Sequence, residues 1–195
     1  SIDNDIYGTD MALGVDTALN NIVQVIDKIK DTASSHERTF IIEVMGRGAG
    51  YLAIISAIAT GAEAAIVPEV KYDLEKIAAR ILERYQRHKT ANIIVVAEGA
   101  STAYQVARQL SKIGKIESKV TVLGHLQRGG SPTCFDRVLG SRLGSAAVTE
   151  LIAGKSNCMV GLVKDEIITT ALDIILSKKN VFDERIINLA ETLGN

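Results

Sequence analysis

Apolar residues at Val15, Ala18, Leu19, Ile22, Val25, Ile26 and Ile29 follow the spacing of one helical face and predict a helix over 15–29. Phe40-Ile41-Ile42-Glu43-Val44 is a short β-prone run, and Tyr51 to Ala59, apolar nearly all round, predicts a buried helix. Ala64 to Val67 predicts a strand stopped by Pro68, after which Asp73 is placed to cap an amphipathic helix reaching Tyr85. A continuous apolar strand is expected over Asn92–Ala97, then a helix capped by Ser101 and ended by Gly114, then a strand over Val120–Leu123. Phe135 to Ala153 predicts a helix with Gly154 as its stop, Met159 to Val163 a last strand, and Val181 to Leu193 a last helix.

Strands that alternate with helices of a dozen or so residues imply βαβ units, hence an α/β fold with a mostly parallel sheet. The strands read as apolar runs, the pattern expected when helices cover both faces of a sheet. Ligands of open α/β sheets bind off the carboxyl ends of the strands. Met45-Gly46-Arg47, Glu98, and His125 with Arg128 each follow a predicted strand.

Composition narrows the class. A chain of 195 residues, 47% apolar and 23% charged, has enough material for a sizeable core. A net charge of −1 gives no electrostatic case for bulk nucleic-acid or membrane binding. No apolar run reaches the roughly 18 residues of a membrane span. Cys134 and Cys158 lack metal-ligand spacing and read as a reduced pair of small core residues.

Four stretches carry candidate chemistry. Ser1-Ile2-Asp3-Asn4-Asp5 places two carboxylates two residues apart; such a group accepts an alcohol proton in phosphoryl transfer, although Asp-Asn-Asp is equally good turn chemistry. With no initiator Met and nothing before it, this loop is expected to open the C-terminal portion of a longer protein. Met45-Gly46-Arg47-Gly48-Ala49-Gly50 joins a strand to a helix, so its free N–H groups and the Arg47 fork suit a phosphate. It is not a Walker A loop, and a tight turn with a solvated arginine remains open. Glu98 suits sugar hydroxyls but also reads as a solvated helix-entry residue. In Gly124–Pro132, His125 and Arg128 stand among glycines, a cradle for a phosphate monoester.

Taken together, Ser1–Asp5, Ser34-Ser35-His36-Glu37-Arg38, Glu43–Arg47, Val67-Pro68-Glu69 and Leu123–Pro132 resemble, in order and spacing, the bacterial 6-phosphofructokinase family. The resemblance covers essentially the whole chain. It implies two interleaved three-layer α/β domains. Residues 1–14 and 127–177 would belong to a larger donor-binding domain, and 15–126 and 178–195 to a fructose 6-phosphate and effector domain. It also implies Mg2+-dependent phosphoryl transfer from ATP to the 1-hydroxyl of fructose 6-phosphate in the cytoplasm, as a step of glycolysis. Asp3 would be the general base, with Asp5 a second acidic group and Ser1 and Ile2 in the same loop; Ser1 stands where the family commonly has threonine. Arg47 would stabilise the transferring phosphoryl. Met45, Gly46 and Glu98 would contact the sugar, and His125, Leu126, Gln127 and Arg128 would hold its phosphate.

Family resemblance further places Arg38 and Lys119 in the site of a neighbouring subunit, which implies a homotetramer. Lys119 replaces the usual arginine, so a weaker sugar-phosphate affinity is expected. An effector site for ADP or phosphoenolpyruvate would use Lys30, Gly61, Ala62, Glu63, Arg87, Lys89, Thr90 and Ala91. Lys30 stands for an arginine of the family pattern, and Thr90 for a lysine. The family's nucleotide loop and Mg2+-binding acidic residue would lie upstream of Ser1. The 195-residue segment alone is therefore expected to be inactive and poorly soluble, with its metal ligands unknown. A pyrophosphate donor is the alternative within the family. A non-catalytic sugar-phosphate or effector-binding module is the alternative outside catalysis.

Overall fold

A computed structural model describes residues 1–33, 38–87, 91–180 and 184–193. Among them the elements run α1 (Val15–Ala33), β1 (Arg38–Val44), α2 (Tyr51–Thr60), β2 (Ala64–Ile66), α3 (Leu74–Gln86), β3 (Ala91–Ala97), α4 (Ala103–Gly114), β4 (Ser118–Val122), a 3-10 turn (Gly124–Arg128), α5 (Cys134–Ile152), β5 (Cys158–Val163), β6 (Glu166–Ala171), α6 (Leu172–Ser177) and α7 (Glu184–Leu193). The chain forms two compact units, Ser1–Ala18 with Arg128–Val181, and Leu19–Gln127 with Phe182–Asn195.

The second unit is built on a parallel sheet in the order β2-β3-β1-β4. Alternate residues of its inner strands face opposite ways. Ile41, Ile94 and Val96 pack with Leu74, Ile77 and Ile81 of α3 and with Val106 and Leu110 of α4. Ile42, Ile93 and Val95, of the other parity, are just as buried, and α2 covers β3. Two covered faces explain why apolar residues of both parities occur in β1 and β3. β4 departs from that expectation. It starts at Ser118, ends at Val122 rather than Leu123, and is half exposed as the edge strand.

The caps of α3 and α4 compare differently with expectation. Asp73 caps α3, accepting from the N–H groups of Glu75 and Lys76 at 3.0 and 3.1 Å, as its sequence position predicts. In α4 the cap is Thr102, not Ser101. Its hydroxyl accepts from Gln105 N–H at 3.2 Å, and the Gln105 side chain accepts from Thr102 N–H at 3.4 Å. Only Thr102 has a Gln three residues on, which is what a capping box needs. Gly114 is the last helical residue, and Lys115 takes the left-handed cap with φ 52°.

In the first unit α5 packs on the antiparallel hairpin β5–β6. Lys164 and Asp165 form the two-residue turn with φ 49° and 67°, the conformation a tight hairpin requires. Loop residues 9 and 10 tie to β5: Asp10 N–H donates to the Leu162 carbonyl at 2.6 Å, and Leu162 N–H donates to Thr9 Oγ1 at 3.1 Å. Both cysteines are free, but neither is the core residue expected: Cys134 is exposed and Cys158 half-buried. No helix among the described residues is long and apolar enough to cross a membrane.

Candidate active site

The loop bearing Asp3 and Asp5 is organised by the residue between them. Asn4 is 6% exposed and adopts φ 55°, a left-handed conformation that asparagine tolerates better than most residues. Its Nδ2 donates to the Asp10 carbonyl at 3.0 Å, and its Oδ1 accepts from Ala12 N–H at 2.9 Å. One buried amide thus closes the loop from inside, while Asp5 stays exposed and Asp3 half exposed. Ser1 Oγ accepts from Asp3 N–H at 3.3 Å, and Ile2 is half buried. The sequence reading gave roles to the two aspartates and none to Asn4.

Asp136, from the first turn of α5, caps the first turn of α1. Its carboxylate accepts from Gly14 N–H and Thr17 N–H at 2.8 Å each, and from the Thr17 hydroxyl. A buried carboxylate held by free helix N–H groups is stable chemistry. It fixes the start of α1 against the start of α5.

In the second unit the strand ends meet in one place. Val44 of β1 pairs with Ala97 of β3, so Met45–Arg47 and Glu98–Gly99 leave the sheet side by side. Glu98 N–H donates to the Val44 carbonyl at 2.9 Å, and Gly99 N–H to the Gly46 carbonyl at 3.0 Å. The approach is too close for a side chain: a Cβ on Gly99 would lie 2.0 Å from the Arg47 carbonyl oxygen. Gly46 has φ 131° and the same constraint, with a Cβ 2.3 Å from the Ala49 carbonyl oxygen. Gly99→Ala is therefore expected to destabilise by about 2–3 kcal/mol, lowering Tm by roughly 5–10 °C. A thermal melt matching the parent would contradict this contact.

Arg47 extends from that junction with its side chain 87% exposed and its Nε 4.0 Å from Glu98 Oε1. An ion pair this open contributes at most about 1 kcal/mol. The guanidinium is therefore available to an incoming anion. Met45 is buried, and its N–H donates to Gln127 Oε1 at 3.1 Å. Gln127 is 1% exposed, and its Nε2 donates to the Gly124 carbonyl at 3.1 Å. Its amide bridges Met45 to the 3-10 turn, a positioning role that sequence reading placed instead on the ligand. His125, Leu126 and Arg128 stand exposed on the same turn.

Arg38 and Lys119 are not at this end of the sheet. Arg38 opens β1 and Lys119 is the second residue of β4, opposite Phe40. Six strand steps separate Arg38 from Val44, about 20 Å at the usual rise. Both side chains are exposed.

The expected effector positions divide. Glu63 is 6% exposed, with its Oε1 2.5 Å from Arg84 Nη2 and its Oε2 accepting from Ile93 N–H. Arg84 Nε donates to Asn92 Oδ1 at 2.9 Å. Burial pushes the Glu63 carboxyl above its ordinary value, against the pull of Ile93 N–H and Arg84. Lys30 Nζ donates to the Thr60 carbonyl beside Gly61, which caps α2 with φ 61°, and Ala62 is buried. Ala91 starts β3, and Arg87 is exposed, pairing with Glu83 at 2.5 Å. Lys89 and Thr90 lie outside the described residues. Sequence reading missed Arg84 as the partner of Glu63, since that pairing joins residues 21 apart in sequence.

A parallel sheet with exposed arginine and histidine at its strand ends defines an α/β protein suited to phosphorylated ligands. The Phosphofructokinase family model matches residues 1–151, and the chain belongs to that family. The ATP-dependent 6-phosphofructokinase of Listeria welshimeri is 49% identical over 194 residues, covering 100% of this chain and 61% of that protein. The chain thus spans under two thirds of the length of such relatives. Among solved structures, Pichia pastoris phosphofructokinase in the T-state matches with TM-score 0.82 and 32% identity over 99% of this chain and 22% of that one. Saccharomyces cerevisiae phosphofructokinase matches with TM-score 0.83 and 29% identity over 100% of this chain and 27% of that one.

Proposed function

We propose that the chain carries the acceptor side of a 6-phosphofructokinase that transfers the γ-phosphoryl of ATP to the 1-hydroxyl of fructose 6-phosphate. The observation that carries this reading is the Asn4-keyed loop. It presents Asp3 and Asp5 in a chain that also keeps Arg47 and Arg128 exposed. A sugar-phosphate binder needs the cations but has no use for a base.

The 1-hydroxyl oxygen attacks the γ-phosphorus, its proton passes to Asp3, and the bond from that phosphorus to the bridging oxygen breaks, releasing ADP. Asp5 adds negative potential beside the base. Arg47 offsets charge on the phosphoryl oxygens in transfer. Glu98 accepts a sugar hydroxyl, and His125 and Arg128 grip the 6-phosphate, with Ser1, Ile2, Met45, Gly46 and Leu126 at the edges of the ligand. Among the described residues no three His, Cys, Asp or Glu converge on a metal-sized site. Mg2+ would be held chiefly by the nucleotide phosphates and would offset their charge when bound.

Arg38 and Lys119, at the far end of the sheet, serve the 6-phosphate site of a neighbouring subunit in a homotetramer. Lys119→Arg supplies a planar fork where a single ammonium stands. It is expected to lower the KM for fructose 6-phosphate about threefold or more, and an unchanged or higher KM would contradict the assignment. Lys30, Arg87, Lys89, Thr90 and Ala91 belong to an effector region for ADP or phosphoenolpyruvate, and Glu63, buried against Arg84, is not one of its ligand contacts. The enzyme acts in the cytoplasm, in glycolysis.

The test is a coupled assay on the full-length polypeptide with fructose 6-phosphate and Mg2+, giving ATP in one arm and pyrophosphate in the other. Turnover with ATP is expected. Turnover only with pyrophosphate reassigns the donor, and silence in both arms from folded protein leaves a binding module.

A further inference from the structure

The loop that holds Asp3 and Asp5 is tied from outside as well as from within. Residues 178–180, which follow α6, run along it. Asn180 Nδ2 donates to the Asn4 carbonyl at 3.3 Å. Lys178 Nζ lies 5.0 Å from the centre of the Tyr7 ring and 3.4 Å from its hydroxyl. Two side chains of one short stretch therefore meet the loop at both ends of the Asn4–Tyr7 segment.

Geometry makes the first tie informative. Both ends of the Asn4 side chain are already engaged, by Asp10 and Ala12. Those bonds fix the side chain but leave the peptide plane between Asn4 and Asp5 to be set by what its carbonyl meets. A left-handed residue sits in a narrow well, and rotation of the adjoining peptide redirects the flanking side chains. Asn180 meets that carbonyl. Lys178, over the face of Tyr7, steadies the segment where it leaves the turn.

We infer that Asn180, assisted by Lys178, is a positioning residue for the carboxylates of Asp3 and Asp5. The inference rests on the reading of Asp3 as the base, since positioning shows in turnover only if that loop carries the chemistry. A small misplacement of a reacting group costs up to about a hundredfold in rate; the loss of one exposed tie is expected to cost less.

The experiment compares the parent with Asn180→Asp, which keeps the shape but removes the N–H, and with Lys178→Gln, all in the full-length polypeptide. Asn180→Asp is expected to lower kcat about tenfold, with KM for fructose 6-phosphate within about twofold and Tm unchanged. Lys178→Gln is expected to lower kcat about twofold to threefold. Amide hydrogen exchange, which needs no turnover, is expected to speed up at Ala12 and across residues 3–7 in Asn180→Asp. A kcat within twofold of the parent, or a rise in KM at constant kcat, overturns the inference. If the parent itself does not turn over, the kinase reading fails separately. Exchange then decides: faster at Ala12 supports the tie, and unchanged overturns it.

Discussion

Replacing Asp3 by asparagine in the full-length polypeptide is expected to lower kcat by about 10²–10⁴-fold, the range a general base contributes. The KM for fructose 6-phosphate should stay within a few-fold. Asparagine has the same shape and, on the proposed reading, still bonds to the substrate hydroxyl without taking its proton. The loop survives the change because its geometry comes from Asn4, whose side chain bonds to Asp10 and Ala12. Steady-state kinetics beside a thermal melt check this. A kcat within tenfold of the parent, at equal Tm, would mean that another group takes the proton.

The second large effect is expected at Arg47. Its side chain is 87% exposed and its nearest carboxylate is 4.0 Å away, so Arg47→Ala has little to remove from the fold. On the proposed reading it removes a cation that offsets charge developing on the transferring phosphoryl, worth about 10²–10³ in kcat. Arg47→Lys should recover only part of the loss, since a point charge lacks the fork that grips two oxygens. Full activity in Arg47→Ala would move the charge-stabilising role to another residue.

Legibility in the sequence followed the physics of each element. β1, β3 and α2 are readable because they are mostly apolar and mostly buried, and α3 because its Asp73 cap and one apolar face agree. β4 was misplaced because an edge strand mixes polar and apolar residues without a clear period. β6 and α6 went unread. Glu166–Ala171 opens behind a Lys164-Asp165 turn that lacks the glycine marking most tight hairpins, and α6 has only 6 residues.

The strand-end residues of the candidate site were legible, since parallel α/β sheets place ligand contacts at carboxyl ends. The residues that hold them were not. Gln127 and Asn180 act through bonds to backbone groups far off in sequence, and Asn4 through bonds six and eight residues on, and no local pattern announces such bonds. Glu63 shows the reverse. It read as one of a surface group of effector residues, yet it is a buried carboxylate matched by Arg84 and Ile93 N–H.

The central claim is tested most directly by following the phosphorus. The full-length polypeptide is mixed with fructose 6-phosphate and Mg-ATP and watched by 31P NMR. Loss of the γ-phosphate signal matched by a new sugar phosphate on the 1-carbon is the result this account predicts. ATP left intact, or hydrolysed to inorganic phosphate with the sugar unchanged, would contradict it.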